Sequence, residues 1–309
     1  MTAASEVVLG VGASHTTLMN TRWDEVDGLR RAHDYRDALA GARQAIERSG
    51  ADLAVVVGPN HFRGMWLDLM PAFTVGIGEV VGTGEHGTPA GPLTGDPTAA
   101  AYLLEALMAA GFDPALSARL DVDHGITHAV QHVLPAGLPL VALVVNCGAP
   151  PLPSLERCAR LGEALREAVH ALPGARRVVV VGSGGLSHRL PFPDWRHPAS
   201  DDDEFLVRSW IEGRGRWEEF ETRRRRIVVE ARPDINTELD RSVLDHLETG
   251  RCRDLVELGD RLVELGGNGA NELRNWLVMA GACGWAPGRA LCYSPMPEWL
   301  TGMAVALVE

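Results

Sequence analysis

Continuous apolar runs, rather than alternating ones, predict the strands of this chain. Residues 7–12, 51–58, 138–146 and 176–182 are rich in valine and leucine and contain few polar positions. A strand with one face in water alternates apolar and polar residues, whereas an uninterrupted apolar run is typical of a strand buried on both faces of a parallel sheet. The pattern therefore predicts a buried central sheet that is mainly parallel or mixed.

Helical periodicity separates these runs. We predict helices over residues 35–48, 97–110 and 155–172, so that strands and helices alternate as they do in α/β proteins. Right-handed crossovers would place helices on both faces of the sheet. Residues 73–78 predict a further strand, and the glycine- and proline-rich residues 82–97 predict a loop long enough to border a site. The predicted fold class is α/β, with a central sheet flanked by helices.

The pattern becomes largely helical between residues 201 and 284. The helices predicted there cover residues 202–212, 216–230, 239–248, 255–265 and 270–282. The tail, residues 290–293 and 301–308, returns to strand, and we expect it to pair with the sheet that the first half begins. We therefore predict a single domain over residues 1–309 with a helical insert at about 201–284, rather than two domains.

Composition and charge exclude several classes of function. Hydrophobic residues make up 46% and charged residues 23% of the 309 positions, as in a globular protein, and the longest apolar runs are too short to cross a bilayer. The net charge of -12 repels phosphate backbones and anionic lipids, so we expect no nucleic-acid partner and no membrane partner. Acidic residues flank the run from Arg223 to Arg226 at helical spacing, which we interpret as a solvated, salt-bridged helix face.

The N-terminus and the cysteines bear on the compartment. Residues 1–6 lack the basic start and apolar stretch of a secretory signal, so we expect a cytoplasmic protein. The five cysteines contain no Cys-x-x-Cys pair. Neither a disulfide framework nor a thiolate zinc knuckle is indicated, and buried free thiols are the favoured interpretation.

Four histidines each follow an apolar run: His15, His61, His124 and His188. Glycines precede His188 and let the backbone turn sharply at the end of its strand. The carboxyl ends of strands in open α/β folds are where ligands bind, so we expect the four imidazoles to meet there. This arrangement predicts a metal site with titratable neighbours. The histidines interpreted as surface residues are His33, His86, His170, His197 and His246.

Two other interpretations compete locally. His124, His128 and His132 have the i, i+4, i+8 spacing of a helical metal site, although Gly125 weakens a helix through His124, and a structural role is favoured for His128 and His132. The loop 182–185 could cradle a phosphate at a helix N-terminus, but it lacks the Gly-Lys-Ser/Thr ending of a Walker motif.

The histidine motifs together resemble a known family, the type III extradiol ring-cleavage dioxygenases. The segments that carry the resemblance are Gly12-Ala13-Ser14-His15, Gly58-Pro59-Asn60-His61-Phe62, Val122-Asp123-His124-Gly125 and Gly184-Gly185-Leu186-Ser187-His188. Their order and spacing match, and the likeness runs from about residue 7 to 308. Residues 151–153, 161–164 and 295–299 resemble the dihydroxyphenylpropionate-cleaving members most closely.

The resemblance implies that His15 and His61 bind iron and that a glutamate of the late helix, Glu272, is the third ligand. The residues support Glu272 independently: it borders an apolar helical stripe that includes Trp276, so its carboxylate would be half buried in the first helical turn and would favour a cation. Two imidazoles and one carboxylate leave open positions on a metal, as in iron enzymes that activate oxygen. We expect Fe(II) on the family resemblance, although zinc would also bind.

The resemblance gives His124 and His188 acid/base roles, without indicating which forms the catecholate and which protonates an oxygen during ring opening. Asp123 either orients an imidazole or caps the following helix, and the cap is favoured. We expect extradiol cleavage of a catechol that bears a short carboxylate side chain, with O2 as second substrate and a homo-oligomer as the assembly. Arg63, Arg189 and Arg274 are candidates to bind that carboxylate. The alternatives are a zinc-dependent hydrolase and a non-enzymatic binding protein.

Overall fold

The computed structural model describes residues 4–309 and contains one mixed sheet of nine strands. The strands are β1 (Glu6–Ala13), β2 (Leu53–Gly58), β3 (Phe73–Thr83), β4 (Ala90–Pro92), β5 (Ala115–Val122), β6 (Leu140–Val145), β7 (Arg177–Ser183), β8 (Gly288–Met296) and β9 (Thr301–Val308). Their order is β4-β3-β6-β2-β7-β1-β9-β8, and β5 pairs with β3. The predicted α/β fold class with a mixed central sheet is confirmed. The interpretation of residues 1–6 rests partly on residues 1–3, which lie outside the described residues.

Helices cover both faces of the sheet, as the right-handed crossovers predict. They are α1 (Leu18–Thr21), α2 (Arg30–Ser49), α3 (Pro97–Ala109), α4 (His124–His132), α5 (Leu155–Ala171), α6 (Asp201–Glu212), α7 (Trp217–Val229), α8 (Thr237–Glu248), α9 (Arg261–Gly266) and α10 (Leu273–Ala282). The apolar residues of α2 and α4 pack in one core cluster, and those of α3, α5 and α10 pack in another on the opposite face. None of the helices in residues 4–309 is long and apolar enough to cross a membrane.

The centre of the sheet is parallel because its strands are buried on both faces. β6, β2, β7 and β1 are neighbours that all run in the same direction. Every residue of β2 and β6 is buried, which accounts for their unbroken apolar runs. The C-terminal strand β9 pairs antiparallel with β1, so the tail returns to the sheet as expected. The carboxyl ends of β1, β2 and β7 consequently share one edge.

The strand β5 ends at that edge too, but it pairs differently from β1, β2 and β7. It is parallel to β3, but β3 runs antiparallel to β6, so β5 does not belong to the parallel centre. The register between β3 and β5 shifts between Gly76 and Glu79, and such irregularities bend a strand. Gly58 at the end of β2 packs so closely on the carbonyl of Gly125 that a Cβ there would collide with it. The start of α4 therefore lies against the end of β2.

Three predicted segments differ from the structure. The loop expected over 82–97 contains the end of β3 and the short strand β4, which pair with each other. The helix expected over 255–265 is a 3-10 turn (Cys252–Leu258) followed by α9, because Gly259 between them has a positive φ of 49°. The helix expected from residue 270 begins at Leu273, after a 3-10 turn (Asn268–Glu272). The single-domain assignment stays a prediction.

Candidate metal and catalytic site

Three side chains from distant parts of the chain converge at the sheet edge. The Nε2 atoms of His15 and His61 are 3.5 Å apart, and Glu272 places Oε1 3.0 Å from His61 Nε2 and Oε2 3.7 Å from His15 Nε2. Separations of this size between ligand atoms leave room for one ion among them. The structure thus brings together all three residues that the family resemblance suggested as ligands.

The remaining ring nitrogen of each histidine is held by a neighbour. His15 Nδ1 lies 2.9 Å from Ser183 Oγ, at the end of β7. His61 Nδ1 lies 3.2 Å from Asp123 Oδ1, and its backbone N–H donates to Asp123 Oδ2 at 2.5 Å. Partners of this kind fix the ring orientation and leave Nε2 to face an ion, as metal-binding histidines require.

Glu272 is positioned by the packing of α10 against the end of β7. Asn275 donates from Nδ2 to the carbonyl of Ser183 at 2.8 Å, and Trp276 donates from Nε1 to the carbonyl of Gly184 at 2.7 Å. The backbone N–H of Gly185 donates to Glu272 Oε2 at 2.6 Å, and a Cβ on Gly184, whose φ is 109°, would collide with that carboxylate. The glycines after β7 therefore make room for the carboxylate.

Two expectations for Glu272 need correction. It ends the 3-10 turn that precedes α10, instead of lying in the first turn of that helix. Its side chain is buried, with 5% of the residue exposed, instead of half buried. Both differences arise because a 3-10 turn precedes α10 and places the carboxylate of Glu272 against the loop after β7.

The charged and titratable groups of this cluster shift one another's pKa values. Burial lowers the pKa of His15 to about 3, although Glu272 acts in the opposite direction. Burial alone would lower the pKa of His61, but Asp123 and Glu272 outweigh it and raise that pKa to about 10. Burial would raise the pKa of Glu272, but His15 and His61 hold it well below its usual value. The carboxylate is therefore ionised and adjacent to imidazole nitrogens.

His124 stacks on His61 with ring centroids 3.9 Å apart, and its ring lies 5.2 Å from that of His15. Its Nδ1 lies 2.5 Å from Glu85 Oε1, which also accepts the backbone N–H of His124 at 2.9 Å. Burial would raise the pKa of Glu85, but His124 keeps it below its usual value. Glu85 therefore orients the ring through Nδ1 and does not engage Nε2.

His188 lies against the same cavity from the loop after β7. Its Nδ1 lies 3.0 Å from the carbonyl of Leu186 and 3.3 Å from Thr301 Oγ1, so these contacts engage Nδ1 and not Nε2. Burial lowers the pKa of His188, which favours the neutral imidazole. The backbone N–H of His188 donates to the carbonyl of Gly266 at 2.8 Å, which ties this loop to α9.

Asp123 performs both of the roles considered for it. Its Oδ1 accepts the backbone N–H of Gly125 at 2.9 Å and so caps α4, which begins at His124 despite the glycine. The same carboxylate accepts the backbone N–H of His61 and contacts its ring Nδ1. The preference for a cap alone is therefore too narrow, because the close packing of α4 on β2 brings the capping carboxylate to His61.

The competing local interpretations are not supported. Besides the cluster of His15, His61 and Glu272, two groups in residues 4–309 have ligand atoms that all lie within 4.8 Å of one another: His15 with His61 and His124, and Glu85 with Asp123 and His124. The helical triplet is neither of these groups. His128 is buried, with 1% exposed, and its Nε2 has no hydrogen-bond partner in the described chain. The glycine loop does not cradle a phosphate at a helix N-terminus, because the next helix begins only at Asp201.

A cavity of about 100 Å³ opens at this cluster. The histidines and glutamate described above line it, together with apolar side chains that include Leu18, Val228 and Trp299. Such a mixture of apolar walls and convergent polar groups is typical of a small-molecule site.

The arginine run was misinterpreted as a solvated face. Arg223 does pair with Asp202 at 2.5 Å, but Arg224 and Arg225 line the cavity, and Arg224 is buried. The surface assignment of His86 is also wrong, because it lines the cavity and its Nε2 lies 3.1 Å from Glu221 Oε1. A run of charged residues at helical spacing does not show which of them will face another segment of the protein and which will face solvent.

Of the arginines expected near the site, only Arg63 lines the cavity, and it pairs with Glu85 and Glu221. Arg189 pairs with Asp234 at 2.8 Å near the surface. Arg274 is buried and donates to the carbonyl of Pro153 at 2.7 Å and to Asn271.

Comparison with known proteins identifies the family of this chain. The family model described as "Catalytic LigB subunit of aromatic ring-opening dioxygenase" matches residues 10–304, which is nearly the whole described chain. The chain belongs to this family. The resemblance noted in the histidine motifs is therefore confirmed, and this ring-opening dioxygenase family member carries its histidine and glutamate cluster at the sheet edge.

Several curated relatives are about one-third identical to this family member. Proteins named 2,3-dihydroxyphenylpropionate/2,3-dihydroxicinnamic acid 1,2-dioxygenase include one from Rhodococcus jostii, 32% identical over 95% of both chains. One from Cupriavidus necator is 33% identical over 87% of this chain and 89% of its own. One from Paraburkholderia xenovorans is 35% identical over 84% and 85%. A solved structure, an uncharacterised protein from Escherichia coli K12, shares the fold with a TM-score of 0.53 and 16% identity, covering 98% of this chain and all of its own.

Proposed function

We propose that this member of the family is an Fe(II)-dependent extradiol dioxygenase, which opens a catechol ring beside its two hydroxyls and incorporates both atoms of O2. His15, His61 and Glu272 would hold the iron. The observation that carries the proposal is the convergence of two imidazole nitrogens and one carboxylate within 3.7 Å of one another. The product would be a ring-opened compound of the hydroxymuconic type.

The donor set fits ferrous iron. Two imidazoles and one carboxylate on one side of a metal are the set used by non-haem iron oxygenases. Iron binding would displace the proton that Asp123 and Glu272 favour on His61. The Nδ1 contacts to Ser183 and Asp123 hold the rings so that both Nε2 lone pairs can face one ion. Zinc accepts the same donors, and iron is preferred because of the family to which the chain belongs.

Bound iron would supply coordination positions for the two catechol oxygens and for O2, and would lower the pKa of a bound hydroxyl. His124 and His188 would then move protons at the substrate oxygens through their Nε2 atoms. Glu85 holds Nδ1 of His124, and the Leu186 carbonyl holds Nδ1 of His188, so neither ring needs to reorient. Apolar walls from Leu18 and Trp299 would limit water around the ring.

The proposed substrate is a catechol with a short carboxylate side chain. The named substrate of the relatives from Rhodococcus, Cupriavidus and Paraburkholderia is of this kind, and the cavity has cationic side chains on its wall. No carrier protein or nucleic acid is needed for such a substrate. The cytoplasmic location and the homo-oligomer expected from the sequence stay predictions.

Oxygen consumption tests the proposal. Protein loaded with Fe(II) under anaerobic conditions is titrated with a panel of catechols while catecholate absorption is followed, and air is then admitted. We expect one O2 consumed per catechol and a yellow ring-opened product. Protein loaded with Zn(II) is the control and should bind catechols without consuming O2. Catechol binding without oxygen uptake in the iron form would contradict the proposal and favour one of the alternatives, a binding protein or a zinc-dependent hydrolase.

A further inference from the structure

The cationic side chains of the cavity differ in whether they form an ion pair with a carboxylate. Arg63 forms two such pairs, one with Glu85, with 3.3 Å between Nε and Oε2, and one with Glu221. Glu221 is shared with His86 as well. A substrate anion would therefore meet competing carboxylates at Arg63, which makes this arginine a poor anion site.

Arg225 lines the same cavity without such a partner. Its Nη1 donates to Thr17 Oγ1 at 3.2 Å and its Nη2 donates to Thr21 Oγ1 at 2.6 Å, and both acceptors are neutral. Across residues 4–309 no carboxylate forms an ion pair with it. The neighbouring Arg223, by contrast, pairs with Asp202 at 2.5 Å. A guanidinium has more N–H donors than these two hydroxyls accept, so donors remain for a ligand.

The surroundings of Arg225 make that unbalanced charge significant. The side chain is half-buried, and burial lowers its pKa, although Glu221 acts in the opposite direction. A charge that is partly removed from water is costly unless an opposite charge meets it. Arg224, the adjacent residue on α7, is also without a carboxylate in the described chain, because it donates to the backbone carbonyls of His61 and Phe62 at 3.3 Å. Two positive charges therefore lie side by side at this wall.

Arg225 lies near the metal cluster because it contacts a residue close in sequence to His15. It bonds to Thr17, which is two residues after His15, and two residues span at most about 7 Å. Val228, one helical turn after Arg225, and Leu18, next to Thr17, line the cavity with apolar surface. A flat ring held at the histidine end would thus have a short side arm pointing along an apolar wall toward a cation.

We propose that Arg225, with the hydroxyl of Thr17 beside it, binds the carboxylate of the substrate's side arm and makes this chain selective for catechols that carry a short anionic arm. The inference rests on the proposed function for the ring-opening step, and it adds the residue that binds the anionic side chain of the substrate. A carboxylate would accept two parallel N–H groups of the guanidinium, which is the geometry in which arginine binds carboxylates most strongly.

A pair of substrates that differ only in the arm tests the proposal. Iron-loaded wild type, Arg225→Met and Arg225→Lys are assayed with 3-(2,3-dihydroxyphenyl)propionate and with 3-propylcatechol, which has an uncharged arm of similar size. We expect Arg225→Met to lower the ratio of kcat/KM for the anionic over the neutral catechol by roughly 10- to 100-fold, mainly through KM, because a charge-assisted hydrogen-bonded pair is lost. Arg225→Lys should recover part of the ratio, since it keeps the charge but not the fork.

Arg223→Met is the matched control, because it removes an arginine of the same helix that pairs with Asp202 away from the cavity. Its ratio should equal that of the wild type. Turnover of the neutral catechol by Arg225→Met shows that this variant is folded. An Arg225→Met ratio equal to the wild-type ratio would overturn the proposal.

Binding of 3-phenylpropionate, which has the arm but no diol, separates this inference from the proposed function. Calorimetry on the iron-loaded proteins should show binding to wild type that weakens by a similar factor in Arg225→Met and is unchanged in Arg223→Met. If no catechol is opened but this difference is observed, the proposed reaction is wrong and the carboxylate site stands. If both catechols are opened at an unchanged ratio, the reaction stands and the carboxylate site is wrong.

Discussion

The sheet edge and the helical segment 201–284 contribute different chemistry to one cavity. The sheet edge supplies imidazoles, which follow buried strands and are held by short contacts to Ser183, Asp123 and the Leu186 carbonyl. The helical segment supplies Glu272 and Arg225, whereas Arg63 and Glu85 come from the segments that follow β2 and β3. Side-chain hydrogen bonds hold the helical segment to the sheet edge. The sheet edge thus fixes where the ring nitrogens lie, and the helical segment adds a carboxylate beside them and an arginine to the cavity wall.

The two regions are also supported differently. Strands β1, β2 and β7 hold their histidines through continuous parallel pairing within a buried layer. Glu272 depends on a few specific contacts, chiefly those of Asn275 and Trp276 with the end of β7. Changes in the helical segment should therefore alter metal and substrate binding while the sheet remains intact, and the predictions below test this difference.

The largest effect is expected from Glu272→Ala. Removing the carboxylate leaves two imidazoles, and we expect the iron content after dialysis and the ring-opening activity both to fall below detection, while circular dichroism shows a folded protein. Glu264→Ala, an exposed glutamate of α9, is the control and should retain both. One equivalent of iron retained by Glu272→Ala would show that this carboxylate is not a ligand.

Replacing His124 or His188 by alanine should have the next largest effect. Each variant should keep its iron but lose about 10²- to 10⁴-fold in kcat, the usual contribution of a general acid or base. His170→Ala, an exposed histidine on α5, provides the comparison and should match the wild type. Unchanged turnover in either site variant with iron still bound would contradict its role in proton transfer.

Asp240 of α8 connects the two regions and should give stability a pH dependence. It accepts the N–H of Ser187 at 2.8 Å and the hydroxyl of Tyr293 at 2.7 Å, and burial raises its pKa to about 6. The unfolded state releases this proton at lower pH than the folded state does, so folding loses stability as pH rises from about 4 to about 6, by roughly 3 kcal/mol. Urea unfolding of wild type and Asp240→Asn across pH 3.5–7 measures this difference.

The direction of the change in stability with pH is part of this prediction. Relative to Asp240→Asn, the wild type should be most stable below about pH 4 and should lose that advantage as pH rises through the pKa of Asp240, with no further change above it. The offset between the proteins also contains the altered hydrogen bonds, so only its variation with pH is informative. Parallel curves for the two proteins would refute the raised pKa.

The smallest effect concerns a residue beside the ligands. Asp123→Asn keeps an oxygen for the cap of α4 but removes the charge next to His61 Nδ1. We expect iron affinity to fall by about 10- to 100-fold, as for other groups that orient metal-binding histidines. Competition with a chelator of known affinity measures the change, and an affinity equal to the wild type would mean that Asp123 serves only as a cap.

The contrast between the regions also explains how much could be predicted from the sequence. His15, His61 and His188 follow runs so apolar that strand, burial and edge position can all be inferred from neighbouring residues. His124 follows β5, in which polar and exposed residues interrupt the apolar ones, and which belongs to a separate, bent part of the sheet. The strand-end positions alone led us to expect the four imidazoles to meet, and the family resemblance added the role of each.

The charged residues were harder to assign because their roles depend on packing between distant segments. Arg224 and Arg225 have the same local pattern as the surface residue Arg226, and only the docking of α7 against the loop after β2 separates them. Glu85 lies in a short turn between β3 and β4 with no periodic signal, yet it holds His124. Glu272 was found because the resemblance supplied its motif.

The location of the iron tests the central claim most directly. Crystals grown anaerobically with Fe(II) should give, in anomalous diffraction at the iron absorption edge, one strong peak within bonding distance of Nε2 of His15, Nε2 of His61 and the carboxylate of Glu272. A peak among Glu85, Asp123 and His124, whose ligand atoms also lie within 4.8 Å of one another, would contradict the account.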